Sequence, residues 1–181
     1  MYDERSTMHE LQRSLFRSSV HRTSNFVRKK MLLNIDFLKY KKDLRIRPTT
    51  TGKFEIYDVV RRKYMVLQPE ELVRQLVLHY LLAEKNYPLS KMRVEMGLTV
   101  NERRKRCDIL VFDNQFKPFL LVECKAATVP IDQAAFEQIA RYNLVFRVPF
   151  LLVTNGISTF CCQTDYDTEG SIFLDNLPNF E

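Results

Sequence analysis

Asp108, Glu123 and Lys125 are the residues whose types and spacing can do chemistry. Asp108 opens the apolar run Ile-Leu-Val-Phe, and Glu123 closes the run Phe-Leu-Leu-Val. Between them, Asp113-Asn-Gln-Phe-Lys-Pro118 is a string of turn formers, so the two runs read as an antiparallel hairpin. A symmetric turn sets Asp113 opposite Pro118. Counting back five residues on each side sets Asp108 opposite Glu123. Directly opposed residues share a face, with Cβ atoms ~4.5–5.5 Å apart. Lys125 lies two residues beyond Glu123, so the strand period of two puts it on that face as well.

Two carboxylates that close repel, and one tends to hold a proton. A hard cation removes the conflict. Mg²⁺ takes one or two carboxylates, keeps several waters and leaves room for phosphate oxygens. Mn²⁺ is expected to substitute. Lys125 can then orient or activate a water and stabilise the charge that develops on phosphorus. The chemistry implied is hydrolysis of a phosphodiester, with Asp108 and Glu123 as metal ligands. The bland alternative is an edge-of-sheet salt bridge in which Lys125 only neutralises the two acids.

The hairpin needs elements to hold it. Residues 54–67 are rich in β-branched and aromatic side chains and read as two short strands around a turn at Asp58–Arg62. Residues 69–85 read as a helix. Pro69 suits its first position, and Leu72, Val73, Leu76, Val77, Tyr80 and Leu81 follow helical spacing. Glu70 and Glu71 suit the positive end of its dipole, and the apolar stripe puts Glu70 nearer the buried face. Asn86-Tyr-Pro88 ends it. Arg93–Val100, Asp108–Phe112 and Phe119–Glu123 read as strands, the last two short enough and apolar enough to be buried on both faces. Pro130-Ile-Asp132 opens a second helix reaching about Phe146. Pro149–Val153 is a further buried strand, Thr154-Asn-Gly156 a hairpin turn, and Ser158–Cys162 the return. The order predicts an α/β fold, a sheet with helices on its faces.

Composition allows one domain of ordinary size plus an extension. Residues 1–30 are polar and Arg/Ser-rich, and read as a flexible basic extension, with the domain at 31–181. Met31 opens an apolar stretch and is a candidate start of translation. No run approaches the ~18 apolar residues of a membrane span, and the N-terminus lacks the apolar stretch of a secretory signal. Cys107, Cys124, Cys161 and Cys162 form no C-x-x-C pair and have no nearby His, which argues against zinc. Reduced thiols in a cytoplasmic protein fit best.

Charge is uneven along the chain. Residues 31–147 carry twenty-one basic against fourteen acidic residues, and 148–181 carry five acidic and no basic one. The basic middle can meet phosphates, or be a solvated surface. Arg103, Arg104, Lys105 and Arg106 run directly into Asp108. They can track a DNA backbone beside the site, or form a solvated turn. Arg61-Arg-Lys63 is a weaker instance. His79 reads as structural.

The landmarks Pro69-Glu-Glu-Leu-Val-Arg-Gln75, Arg106-Cys-Asp-Ile, Val122-Glu-Cys-Lys125, Gln138-Ile-Ala-Arg-Tyr142 and Thr154-Asn-Gly156 together resemble the N-terminal domain family of type I restriction enzyme R proteins. That family lies within the PD-(D/E)xK nuclease superfamily. Cys107 stands where the superfamily pattern has Pro, a variable position. The resemblance spans residues 54–162. It implies a restriction-endonuclease-like mixed sheet flanked by helices, and Mg²⁺-dependent DNA cleavage. It also implies that Gln138 and Tyr142, four apart and so on one helical face, lie beside the metal site and position the substrate or Lys125. The bland reading is a half-buried pair packing helix on sheet. The family pattern points to Glu71 as an auxiliary acid, whereas dipole stabilisation explains either glutamate without function.

A full R protein continues into a helicase motor. None of Gly52, Gly97, Gly156 or Gly170 sits in a G-x-x-x-x-G-K-[ST] loop, so no ATP-driven motor is expected within these residues. A motor or specificity protein is then a possible partner beside DNA. The competing function is a catalytically silent nuclease-fold module that binds DNA or a partner protein.

Overall fold

The computed structural model describes residues 32–100, 103–167 and 170–180. The extension read at residues 1–30 lies outside the described residues.

Strands β1 (Ile46–Pro48), β2 (Phe54–Asp58) and β3 (Lys63–Val66) form a small antiparallel sheet in that order. Helix α1 (Pro69–Ala83) follows. Then come β4 (Met92–Val100), β5 (Arg103–Phe112), β6 (Pro118–Cys124), helix α2 (Gln133–Phe146), β7 (Phe150–Thr154), β8 (Thr159–Asp165) and β9 (Gly170–Leu174). The six strands β4 to β9 make one sheet in sequence order. Only β6 and β7 pair in parallel, as they must, because α2 carries the chain back over the sheet between them. The expected class therefore holds: a mixed sheet flanked by helices.

The sheet divides two cores. On one face Val73, Leu76, Val77 and Leu81 of α1 meet Ile109, Val111, Leu120, Val122 and Cys124. On the other, Ala135, Phe136, Ile139 and Ala140 of α2 meet Leu110, Leu121, Leu151 and Val153. Strands β5 and β6 are buried on both sides, which is why they read as unbroken apolar runs.

Element ends have local causes. Pro69 occupies the start of α1, with Glu70 and Glu71 in its first turn. The helix closes at Ala83, two residues short of the expected end. Asn86 takes a left-handed φ of 60° and the Tyr87 N–H reaches back to Leu81 O at 3.0 Å, satisfying an end carbonyl. Helix α2 begins three residues later than expected, because Asp132 caps it by accepting from the Ala135 N–H at 3.1 Å.

Among the described residues, four elements escaped the sequence reading: 3₁₀ segments at Phe37–Asp43 and Leu89–Lys91, β1 and β9. Each is short and stabilised by tertiary contacts. Phe37 packs edge-on against Tyr80 of α1, and Phe173 of β9 closes an aromatic cluster with Phe136 and Phe160. Strand β5 also starts earlier than expected. Arg104, Lys105 and Arg106 are not a turn. They pair with Thr99, Leu98 and Gly97 of β4, so an antiparallel ribbon satisfies their backbone groups while the side chains stay exposed.

Candidate active site

The core of the β5–β6 hairpin has the expected register: Ile109 opposes Val122, Leu110 opposes Leu121 and Val111 opposes Leu120. Its tip differs. Phe112, not Asp113, opposes Pro118, and a bulge between Val111 and Phe112 absorbs the offset. Continuing the core register sets Asp108 across from Glu123.

Side-chain alternation breaks at Asp108. Ile109 belongs to the α1 core, yet Cys107, two residues away, belongs to the α2 core. Asp108 therefore does not simply share one face with Glu123, as their direct opposition across the hairpin predicted. Its Oδ1 accepts from Arg74 Nη2 on α1 at 2.8 Å, and its Oδ2 from the Cys124 N–H of the neighbouring strand at 2.6 Å. Its carboxylate is held at the strand end from the α1 side.

Glu123 is held from the α2 side. It is 3% exposed. Its Oε1 accepts from Lys125 Nζ at 2.8 Å and from Gln138 Nε2. Lys125 Nζ also donates to Gln138 Oε1 at 3.0 Å, and Gln138 Nε2 to Tyr142 Oη at 3.2 Å. The Lys125 N–H continues the parallel ladder by bonding Thr154 O at 2.8 Å, which fixes where its side chain starts.

The electrostatics reflect this crowding. Burial and then the charge of Asp108 push the Glu123 carboxyl from its ordinary 4.5 up to about 7, against the opposing pull of Lys125. Burial alone would lower the Lys125 pKa, but the hydrogen bond to Glu123 and its charge outweigh that and raise it. The charge of Glu70 acts on both groups in the same sense.

The structure thus brings Asp108, Glu123, Lys125, Gln138 and Tyr142 to one strand end. The two glutamates of α1 exchange their expected places. Glu71 is the buried one, and Glu70 is exposed. The apolar stripe misleads because Glu71 faces inward against cations: Arg61 at 3.1 Å and Arg74 at 2.6 Å. Arg61 is likewise no solvated basic residue. It bonds Asp58, Glu71 and Glu95. Arg104, Lys105 and Arg106 line, with Gly97 and Thr99, an open concavity of about 780 Å³. Arg103 begins β5. Arg61, Arg74 and Glu95 were missed as a group. The i, i+3 and i, i+4 spacing of Glu71, Arg74 and Gln75 could have revealed their α1 half.

Among the described residues, no three His, Cys, Asp or Glu side chains converge as a protein-only metal cage. The donor chemistry suits a hard cation that keeps its waters. The charge of Asp108 raises the cost of ionising Glu123, and the hydrogen bonds to Glu123 fall on Oε1. Cys107 and Cys124 are buried thiols, Cys107 pushed up to about 12 by burial, so soft-metal ligation does not compete.

No curated protein matches this chain. Among solved structures, it is similar to a fragment of a protein assigned as an HsdR subunit of a type I restriction enzyme from Vibrio vulnificus YJ016, at 22% identity and a TM-score of 0.47. That match covers 64% of this chain and 24% of the other, so it spans about a quarter of that fragment. The family described as type I restriction enzyme R protein N terminus matches over residues 69–178, from the start of α1 past the end of β9, and the chain belongs to that family.

Proposed function

We propose that this protein is a Mg²⁺-dependent deoxyribonuclease domain that hydrolyses phosphodiesters at the strand end of β5 and β6. The observation that carries the reading is Glu123: a buried carboxylate, pushed up to about 7 by burial and by Asp108, and bonded to Lys125, a partly exposed cation that a phosphate can also reach. Asp108 and Glu123 would hold Mg²⁺ or Mn²⁺ through oxygen, and the ion would supply charge neutralisation at the scissile phosphate.

The remaining roles belong to the chain itself. Lys125 Nζ, fixed by Glu123 and Gln138, is aimed to hydrogen-bond a phosphate oxygen or the attacking water. Gln138 and Tyr142 set the position of that ammonium. The exposed Arg104, Lys105 and Arg106 lie on the ribbon that runs out from Asp108, where they would neutralise backbone phosphates of bound DNA. Family membership supports DNA as the partner, and a motor or specificity protein as a second one. Four free, buried cysteines suit a reducing, cytoplasmic setting, and no described helix is long and apolar enough to cross a membrane.

The test is cleavage of linear, supercoiled and branched DNA with Mg²⁺, Mn²⁺, Ca²⁺ or EDTA. Cleavage in Mg²⁺ and Mn²⁺ only, lost in Lys125→Ala, supports the enzyme. Metal-independent DNA binding without cleavage by the wild type would instead mark a catalytically silent module.

A further inference from the structure

Beneath the cluster of Glu123 and Lys125 lies a second set of charges, reached from the other side of the sheet. Arg74 of α1 is its centre, with a side chain only 6% exposed. Nη1 donates to Glu71 Oε2 at 2.6 Å and to Glu95 Oε1 at 3.3 Å. Nη2 donates to Asp108 Oδ1 at 2.8 Å. Nε is buried without a hydrogen-bond partner.

Every partner of Arg74 is itself fixed from behind. Glu71 also accepts from Gln75 Nε2 at 2.9 Å and from Arg61 Nη2 at 3.1 Å. Arg61 donates to Glu95 Oε2 at 2.7 Å and to Asp58 Oδ2 at 2.6 Å. Asp58 is fully buried, and its Oδ1 accepts the N–H groups of Val60 and Arg61. The chain of contacts runs from the turn after β2, through α1, to β5.

Glu95 marks where this network meets the sheet. It sits inside β4 with a φ of 47°, a conformation that side-chain-bearing residues rarely adopt. The β4–β5 pairing is regular on either side, with Val94 opposite Ile109 and Met96 opposite Cys107. The interruption therefore falls at Glu95 on one strand and at Asp108 on the other, and Arg74 bonds both. A buried ion network of this kind is poor evidence for stability, because apolar residues of equal volume serve as well or better. What it supplies is orientation. A guanidinium fork can hold two acids through separate nitrogens, which an ammonium cannot.

We infer that Arg74 is a positioning residue for Asp108. It fixes one carboxylate oxygen so that the other stays on the Cys124 N–H, and so presents Asp108 to the metal beside Glu123. Glu71 serves by holding Arg74, not by touching substrate. The inference rests on the proposed hydrolase reading for its consequence, but its geometry can be read without metal.

The experiment compares wild type, Arg74→Lys and Asp108→Asn by NMR of the metal-free protein, followed by Mn²⁺ titration and by cleavage as a function of Mg²⁺. The Cys124 amide proton, bonded to Asp108 Oδ2, reports the carboxylate directly. In Arg74→Lys it should move upfield and exchange at least about tenfold faster, as in Asp108→Asn, while the Leu152 amide stays unchanged. Mn²⁺ affinity should fall by roughly 10- to 100-fold, with a matching rise in the Mg²⁺ needed for half-maximal rate and little change in kcat at saturating metal. An unchanged Cys124 amide, or wild-type Mn²⁺ affinity in a folded Arg74→Lys protein, overturns the inference. Should that variant fail to fold, the partly exposed Glu95→Gln loosens the far side of Arg74. It is expected to shift the Cys124 amide less and in the same direction, and no shift there overturns the inference. A wild type that neither binds Mn²⁺ nor cuts DNA defeats the hydrolase reading, and the Cys124 amide still decides the role of Arg74.

Discussion

Lys125 Nζ donates to Glu123 Oε1 at 2.8 Å, although Lys125 stands one residue past the end of β6 and Glu123 one residue before it. The bond can form because the parallel ladder with β7 carries on through the Lys125 N–H. The ammonium is thereby fixed by the sheet and not by a loop. Lys125→Ala is expected to lower kcat by about 100-fold or more while the protein stays folded, since one positioned electrostatic donor contributes roughly 10² to 10³ in rate. Cleavage kinetics alongside circular dichroism check it. Equal rates in the two proteins would place the chemistry elsewhere.

The Glu123 carboxyl makes the metal-free protein pH-sensitive. Burial first, and the charge of Asp108 second, raise it from 4.5 to about 7 in the folded state. The folded protein then holds a proton that the unfolded chain releases. The site's contribution to stability is full at or below about pH 4.5 and is lost as pH rises through about 7. Thermal melts in EDTA between pH 5.5 and 7.5 should show wild type losing stability relative to Glu123→Gln as pH rises. Added Mg²⁺ should remove the difference. Parallel pH profiles for the two proteins would show that Glu123 is already ionised when folded.

The ribbon formed by β4 and β5 leaves Arg104, Lys105 and Arg106 exposed opposite Thr99, Leu98 and Gly97. Replacing Arg104 and Arg106 by Ala should weaken DNA binding without changing the Mg²⁺ requirement. Each lost phosphate contact should reduce the slope of log K against log salt by roughly 0.9. Binding isotherms at several salt concentrations test this, and an unchanged slope would remove these side chains from the interface.

The sequence makes one half of this site readable and hides the other. Asp108, Glu123 and Lys125 could be placed together because two apolar strands, joined by a turn, leave few registers open. The bulge after Val111 did not disturb that register, since it falls outside the paired core. The period of two failed at Asp108 for a reason no pattern carries: the facing residue, Glu95, leaves the usual strand geometry. Arg61 looked solvated because it stands in a basic run, yet three carboxylates from separate elements enclose it. Contacts between distant segments of that kind leave no periodic trace.

Asn155 explains the Thr-Asn-Gly landmark. It is buried, its Oδ1 accepts from the N–H groups of Ile157 and Ser158, and its Nδ2 donates to Val129 O at 2.8 Å. Gly156 beside it needs a φ of 84°. The side chain thus ties the turn after β7 to the segment between Lys125 and α2. Asn155→Ala leaves the N–H groups of Ile157 and Ser158 and the Val129 carbonyl without their partner, all on exposed or half-buried residues that water reaches, so the total cost is about 1–3 kcal/mol. A fall in melting temperature with a smaller loss of cleavage is expected. Wild-type stability would mean that water replaces these bonds.

Gln138 is the most demanding position at the site, because its two ends do opposite things. Nε2 donates to Glu123 Oε1, and Oε1 accepts from Lys125 Nζ at 3.0 Å. Gln138→Glu keeps the shape and the acceptor but deletes the donor. It also sets a third negative charge against Glu123, whose carboxyl is already pushed up by burial and by Asp108. The expected result is a lower kcat with KM for DNA nearly unchanged, since the basic ribbon of β4 and β5 is untouched, and a higher Mg²⁺ requirement at acidic pH. Gln138→Ala frees both Glu123 and Lys125, and is expected to cost kcat without that added pH dependence. Tyr142→Phe removes only the 3.2 Å bond to Gln138 and should fall well short of either. Cleavage rates for the three variants across pH and Mg²⁺ separate these outcomes. If Gln138→Glu matched wild type throughout, the amide would be packing α2 on the sheet and nothing more.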